Sequence, residues 1–258
     1  MVMNKQIQTY CYPAANSVVV CGDTHGAFED MVFKLCVQYG MTDTLLIVAG
    51  DCGFGFEKPG YYELISTKVS RRLTKANNWI VMIRGNHDDP AYFQEQRIQH
   101  ERFRCIPDYS IVTTCGHTIL CIGGAISIDR TYRLAADSRP HSAQTACYWA
   151  DEMPFFDEKA LAEINANFKV DTVVTHTSPS FCELITKDGL MGWATRDAAL
   201  LEDCERERAI LDQIIESLLA AGQPITHWYY GHFHQSWSAT INGILFSMLD
   251  IMEFKELQ

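Results

Sequence analysis

The stretch "SVVVCGDTHG", Ser17 to Gly26, is an apolar, β-branched run that stops at a glycine and then sets Asp23 and His25 on the chain. The pattern recurs. "TLLIVAGD" runs from Thr44 through Gly50 to Asp51, and "WIVMIRGN" runs from Trp79 through Gly85 to Asn86. Each reads as a buried strand, then a glycine that lets the backbone leave sharply and close to a ligand, then an oxygen-donor side chain. Helical patterns are expected over 27–39 and 61–77, between these strands. Strand, helix, strand implies parallel neighbours with right-handed crossovers, so the three ends should meet at one sheet edge, where open α/β sheets place their sites. The expected class is α/β, with helices packed on sheets.

Two later segments extend the series. "VDTVVTHTSP" brings His176 to a strand end, and "PITHWYYGHFH" brings His232 and His234. The chain thus offers Asp23, His25, Asp51, Asn86, His176, His232 and His234 from five strand ends. Carboxylate, amide oxygen and imidazole without thiolate suit borderline to hard divalent ions, namely Mn, Fe, Zn, Co or Ni, with manganese first. Seven donors exceed what one six-coordinate ion with an open position can use. They suit two ions about 3.5–4 Å apart that share a carboxylate.

Composition bounds the rest. A 258-residue chain that is 47% apolar can bury the core of one large α/β domain, expected to span 1–258 with no repeat or linker. The ten cysteines are scattered without a C-x-x-C pair, which fits reduced thiols and argues against a thiolate zinc site. No run approaches a membrane span and no leader pattern opens the chain, so a soluble, cytoplasmic protein is expected. A formal charge of −11 disfavours an extended nucleic-acid groove, and a small phosphorylated substrate is the expected partner.

The blocks "GDTHG", "GDCGF", "GNHDD", "THTSP" and "GHFH" resemble, in order and approximate spacing, the signature of the calcineurin-like metallophosphoesterases. They run from Gly22 to His234, most of the chain, and the full ordered set is far more specific than any one block. The resemblance implies two mixed β-sheets packed as a sandwich and flanked by helices, a four-layer αββα arrangement. It implies that Asp23, His25, Asp51 and His234 hold one metal while Asp51, Asn86, His176 and His232 hold the other, with Asp51 as bridge. It further implies that His87 acts near the leaving-group oxygen and that Asp88 orients it. The physics agrees for His87, since an imidazole beside two cations and a phosphate can give a proton or hydrogen bond to a departing alkoxide.

Charge then suggests a mechanism. Two divalent ions, two aspartates and one bridging hydroxide sum to about one positive charge, a centre that attracts phosphate and lowers the pKa of its water. The expected reaction is in-line attack of that hydroxide on a phosphomonoester or phosphodiester. Arg84, Arg130 and Arg133 are candidate phosphate contacts because guanidinium reads phosphate bidentately, though each is also a candidate ion-pair partner. Phe54 and Phe56 are candidates to line a base or aryl pocket, or else core. "CIGGAISIDRTYR" and "YWADE" look like a segment from a bacterial and phage branch of the family, with no substrate attached. The block "GDCGFGFEKPG" lacks the "RG" pair of the protein-phosphatase branch, which puts a phosphoprotein substrate in doubt.

The alternatives are a nuclease or cyclic-nucleotide or dinucleotide phosphodiesterase, and, from another class, a catalytically silent metal-binding interaction scaffold. The scaffold should have lost a ligand or the leaving-group histidine, and all are present. A dinucleotide enzyme would need G-x-G-x-x-G, which neither glycine block gives. The run from Asp197 to Gly222 has helical spacing and should cover a sheet. His100, His117, His141 and His227 lack a matching context and read as ordinary surface or core residues.

Overall fold

The computed structural model describes residues 6–58, 60–137 and 146–258; His141 lies outside them. The chain runs through β1 (Thr9–Cys11), β2 (Ser17–Cys21) and α1 (Phe28–Phe33), which continues as a π-helical stretch (Lys34–Gln38). There follow β3 (Thr44–Val48), α2 (Tyr61–Ala76), β4 (Trp79–Met82), α3 (Ala91–Gln94), β5 (Gln99–His100), β6 (Phe103–Cys105), β7 (Ser110–Thr114) and β8 (His117–Ile122). The remainder comprises α4 (Arg130–Asp137), α5 (Glu158–Asn167), β9 (Thr172–Thr175), α6 (Leu190–Ala194), α7 (Leu200–Ala220), β10 (His227–Tyr230), β11 (Trp237–Ile241), β12 (Ile244–Met248) and β13 (Phe254–Glu256).

Two mixed sheets form. One has the order β13-β2-β3-β4-β6-β5 and the other β1-β7-β8-β9-β10-β12-β11. In the first, β2, β3 and β4 are parallel neighbours, as the two helical crossovers require. In the second, β8, β9 and β10 are parallel, while β7 and β11 pair antiparallel with β8 and β12.

Alternation along the strands builds the layers. Val18, Val20, Leu45, Ile47 and Val81 face Val112, Ile119, Cys121, Val174 and Tyr229 across the gap between sheets. Their neighbours Val19, Cys21, Leu46 and Val48 point the other way, onto Phe28 and Met31 of α1 and Ile65, Val69 and Leu73 of α2. Strands buried on both faces need no polar alternation, which is why these segments read as continuous apolar runs. On the far side, Leu120, Val173, Trp228 and Tyr230 pack on Leu161 and Ile164 of α5 and Leu211, Ile214 and Leu218 of α7. The result is the expected αββα sandwich.

The expected helices lie close to their observed places. The 61–77 helix ends where Asn77 adopts a left-handed φ of 52°, and α7 is followed by Gly222 at 71°. The buried face of α7 also holds Glu207 and Arg208, which apolar spacing alone does not reveal. Arg208 donates from Nη1 and Nη2 to the carbonyls of Pro179, Cys182, Leu184 and Ile185, so it ties the loop after β9 to the helix. All ten cysteines are unpaired. Among the described residues, no helix is long and apolar enough to cross a membrane.

Leu45 is fully buried between the sheets. Leu45→Ala is expected to destabilise the fold by about 2–5 kcal/mol in urea unfolding. A loss well under 1 kcal/mol would mean that the sheets are not held together by this layer.

Candidate metal centre

The sandwich brings ends of both sheets to one place. Asp23, Asp51 and Asn86 follow β2, β3 and β4 of the first sheet, and His176, His232 and His234 follow β9 and β10 of the second. Four of the candidate donors, His25, Asp51, His232 and His234, have positive φ values of 45°, 47°, 70° and 55°. Such backbone costs a non-glycine residue roughly 1–3 kcal/mol and persists only where the surroundings impose it. The glycines before the donors have a steric purpose. A Cβ on Gly85 would lie 2.1 Å from Asp51 Oδ1, and one on Gly231 would lie 2.2 Å from Asp23 Oδ1.

Asp23, His25, Asp51 and His234 each offer a ligand atom, all within 4.8 Å of one another. His234 Nε2 is 2.9 Å from Asp23 Oδ2 and 3.2 Å from His25 Nε2, while His25 Nδ1 is 4.0 Å from Asp51 Oδ2. Both aspartates are fully buried, yet Asp23 Oδ2 and Asp51 Oδ2 receive no hydrogen bond. Even the close approach of His234 lacks the angle for one. Two buried carboxylate oxygens without hydrogen bonds, amid imidazole nitrogens that offset only part of their desolvation, fit divalent cations.

A second group adjoins the first through Asp51. His176 Nδ1 donates to the Ala49 carbonyl at 2.7 Å, which leaves Nε2 facing Asp51 Oδ1 at 3.1 Å and Asn86 Oδ1 at 3.2 Å. His232 Nδ1 is 2.9 Å from the same Asn86 oxygen. A neutral His176 would point its lone pair at two oxygens, so a positive charge belongs between them. Although burial opposes it, Asp51, Asp23 and the Ala49 carbonyl push His176 up to about 9, so in the bare protein that charge is a proton. Burial, with help from Lys187 and His176, holds His232 well below the usual imidazole range. Against its own burial, the surrounding histidines keep Asp51 well below the carboxylate range.

His87 sits beside both groups. Its Nε2 is 4.0 Å from Asp51 Oδ2, and its ring stacks on Phe56 at 6.1 Å. Burial lowers His87 to about 4, an effect that Arg133 and other cations reinforce and Asp51 resists. The expectation for Asp88 is corrected. Its carboxylate accepts from the backbone amides of Cys52, Gly53, Phe54 and Gly85 at 2.7–3.0 Å and makes no bond to the His87 ring. It ties the loop after β3 to the loop after β4. Its influence on His87 is through the backbone that carries both residues.

The arginines separate. Arg84 is fully buried, paired with Asp108 at 2.8 Å and donating to the carbonyls of Asp151, Glu152 and Met153, so its guanidinium is held inside the fold and away from a substrate. Arg130 is held by Asp197 at 2.5 Å and Asp203 at 2.7 Å. Only Arg133 reaches the centre. It pairs with Asp129 at 2.8 Å and places Nη2 2.5 Å from His87 Nε2. Phe54 belongs to the core, whereas Phe56 lies between His87 and Trp149, 5.3 Å from the latter ring. A cleft of about 270 Å³ lined by His25, Gly53, Phe56, Glu57, Tyr61 and His87 opens beside it.

Three residues near the centre are not among the candidate donors or phosphate contacts, although Ser127 and Glu152 lie within the segments "CIGGAISIDRTYR" and "YWADE". Lys187 Nζ stands 3.5 Å from His232 Nδ1. Ser127 bonds Asn86, and Glu152 bonds Ser127. Glu152 is pushed up to about 8 by burial, which its two Ser127 bonds oppose. A serine, a lysine or an acid after a strand has no distinguishing pattern, and only the folded chain shows what each touches.

The chain belongs to the calcineurin-like phosphoesterase family: the model of that family matches residues 17–236, which include every donor described above. An ion entering the second group must expel the His176 proton. Affinity of the chelator-stripped protein for Mn or Zn should therefore rise with pH, by about tenfold per unit below the His176 value. Competition against a chromophoric chelator measures this, and flat affinity between pH 6 and 8 would mean that metal entry expels no proton from His176.

Proposed function

We propose that the chain hydrolyses small phosphate esters, monoesters in preference to diesters, with two divalent ions, manganese first among them. One ion is held by Asp23, His25, Asp51 and His234 and the other by Asp51, Asn86, His176 and His232. The observation that carries the reading is the pair of buried, unbonded oxygens Asp23 Oδ2 and Asp51 Oδ2. Asp51 supports a bridging role, because its Oδ1 faces His176 and its Oδ2 faces His25.

When bound, such ions supply the positive charge that draws a phosphate in and the activated water that attacks phosphorus in line. The protein's own groups do the rest. Arg133 and Lys187 bring two further cations to the rim, near His87 and His232. A monoester dianion, with one more charge and one more free oxygen than a diester, gains most from both. His87, held below the usual imidazole range by burial, accepts the Arg133 N–H at Nε2, so as a neutral imidazole it keeps its N–H on the other ring nitrogen, and that is the proton it would offer the leaving oxygen. The cleft at Phe56, lined by Glu57, Tyr61 and His87, is where the leaving group would lie.

The test uses chelator-stripped protein given Mn, Fe, Ni, Co or Zn singly, with para-nitrophenyl phosphate and its bis ester as substrates. Metal-dependent release, faster with the monoester, is expected. His87→Ala should keep both ions and lose about 10²–10⁴ in turnover, while Asp51→Asn should lose ions as well. Two ions bound with no turnover on either ester would favour the silent scaffold, and a faster diester would reverse the substrate preference.

A further inference from the structure

Ser127 and Glu152 meet behind Asn86 in a buried chain of hydrogen bonds. The Asn86 Nδ2 amide donates to Ser127 Oγ at 3.0 Å, and Ser127 Oγ donates in turn to Glu152 Oε2 at 2.6 Å. The Ser127 backbone N–H holds the other carboxylate oxygen, Oε1, at 2.7 Å. A hydroxyl has one proton, and when Glu152 is ionised, above the value of about 8 to which burial pushes it, the carboxylate takes that proton. Ser127 therefore shows Asn86 only lone pairs, and these demand the amide's NH2 on that side. The amide is thereby fixed with Oδ1 toward His176 Nε2 and His232 Nδ1, at 3.2 and 2.9 Å. A flipped amide would set oxygen against oxygen at Ser127 and push N–H groups among the ligand nitrogens.

The chain is anchored from behind. Arg84, two positions before Asn86 in the sequence, grips the carbonyls of residues 151–153 and is itself held by Asp108. Asn86, Ser127, Glu152 and Arg84 are each no more than 2% exposed, so water does not compete for these bonds. A second buried acid runs parallel: Glu207 Oε1 accepts from Thr177 Oγ1, beside His176, at 2.8 Å, and Oε2 accepts from the Ile126 amide. The other ligand group is open by contrast, with His25 and His234 side chains 30% and 34% exposed.

We propose that Ser127 and Glu152 are positioning residues that fix the Asn86 oxygen as a ligand and so decide whether the second ion is retained. This rests on the two-ion reading above. Supporting contacts behind a metal ligand are typically worth about 10–100-fold in affinity. Their loss should fall on one ion of the pair.

The test loads wild type, Ser127→Ala, Ser127→Thr and Glu152→Gln with Mn(II), counts ions after dialysis, and records the electron paramagnetic resonance spectrum. Wild type and Ser127→Thr, which keeps the hydroxyl, should hold two ions with an exchange-coupled signal. Ser127→Ala should hold one ion tightly, bind the second about 10–100-fold more weakly, and show the signal of an isolated ion. Glu152→Gln, which keeps the side chain's size and one acceptor, should weaken the second ion in the same direction and serves if the alanine variant does not fold. Two tight, coupled ions in Ser127→Ala or in Glu152→Gln would overturn the proposal while leaving the two-ion reading intact. A wild type that holds a single ion would overturn that reading itself, and the relay with it.

Discussion

Two buried carboxylates set the terms for this protein. Asp23 and Asp51 are fully excluded from solvent, share the neighbourhood of His25 and His176, and each leaves one oxygen without a hydrogen bond. Burying one unpaired charge costs several kcal/mol, and burying two of the same sign side by side is worse. Imidazoles offset part of that, which is why His176 holds a proton so firmly. The remainder calls for cations, and a family whose activity depends on them follows naturally from such a cavity.

The same requirement explains the sandwich. The donors come from two sheets, so their spacing is set by the apolar layer between the sheets and not by any one loop. Val20, Ile47 and Val81 from one side and Cys121, Val174 and Tyr229 from the other fix how close the strand ends approach. Hydrogen bonds then cross the gap at the site: the His232 amide bonds Asp23 Oδ1 at 3.0 Å, and His176 Nδ1 bonds the Ala49 carbonyl at 2.7 Å. Strained φ values at four donors are tolerated because both sheets press on the same few residues.

Behind this lies a graded use of polar side chains. Asp88 has four amide partners and serves as a brace between two site loops. Arg84, Arg130 and Arg208 are spent on carbonyls and carboxylates inside the fold. Among the described residues, Arg133 and Lys187 come within hydrogen-bond range of site histidines, and a phosphate arriving in an otherwise acidic molecule would meet them. The division follows from the partners each meets: Arg84, Arg130 and Arg208 face carboxylates and carbonyls of the fold, whereas Arg133 also faces the His87 ring.

How far each feature was legible follows from how local its cause is. Strand, glycine and donor occur together within a few residues, so the repeated endings at Asp23, Asp51 and Asn86 announced the sheet edge, and the histidines completed a donor set of recognisable chemistry. Arg84, Arg130 and Arg133 look alike in sequence because a guanidinium's partner lies tens of residues away, at Asp108, Asp197 or His87. Asp88 beside His87 suggested a contact that the fold assigns instead to backbone amides. Ser127 and Glu152 lie in the segments 121–133 and 148–152, whose resemblance to a branch of the family attached no role to either residue. The sequence by itself determined which elements form and which chemistry their ends supply, since period and residue type are properties of short stretches. Only the tertiary structure decided which polar group faces which, because that depends on two sheets packing at a distance fixed by side chains far from the site.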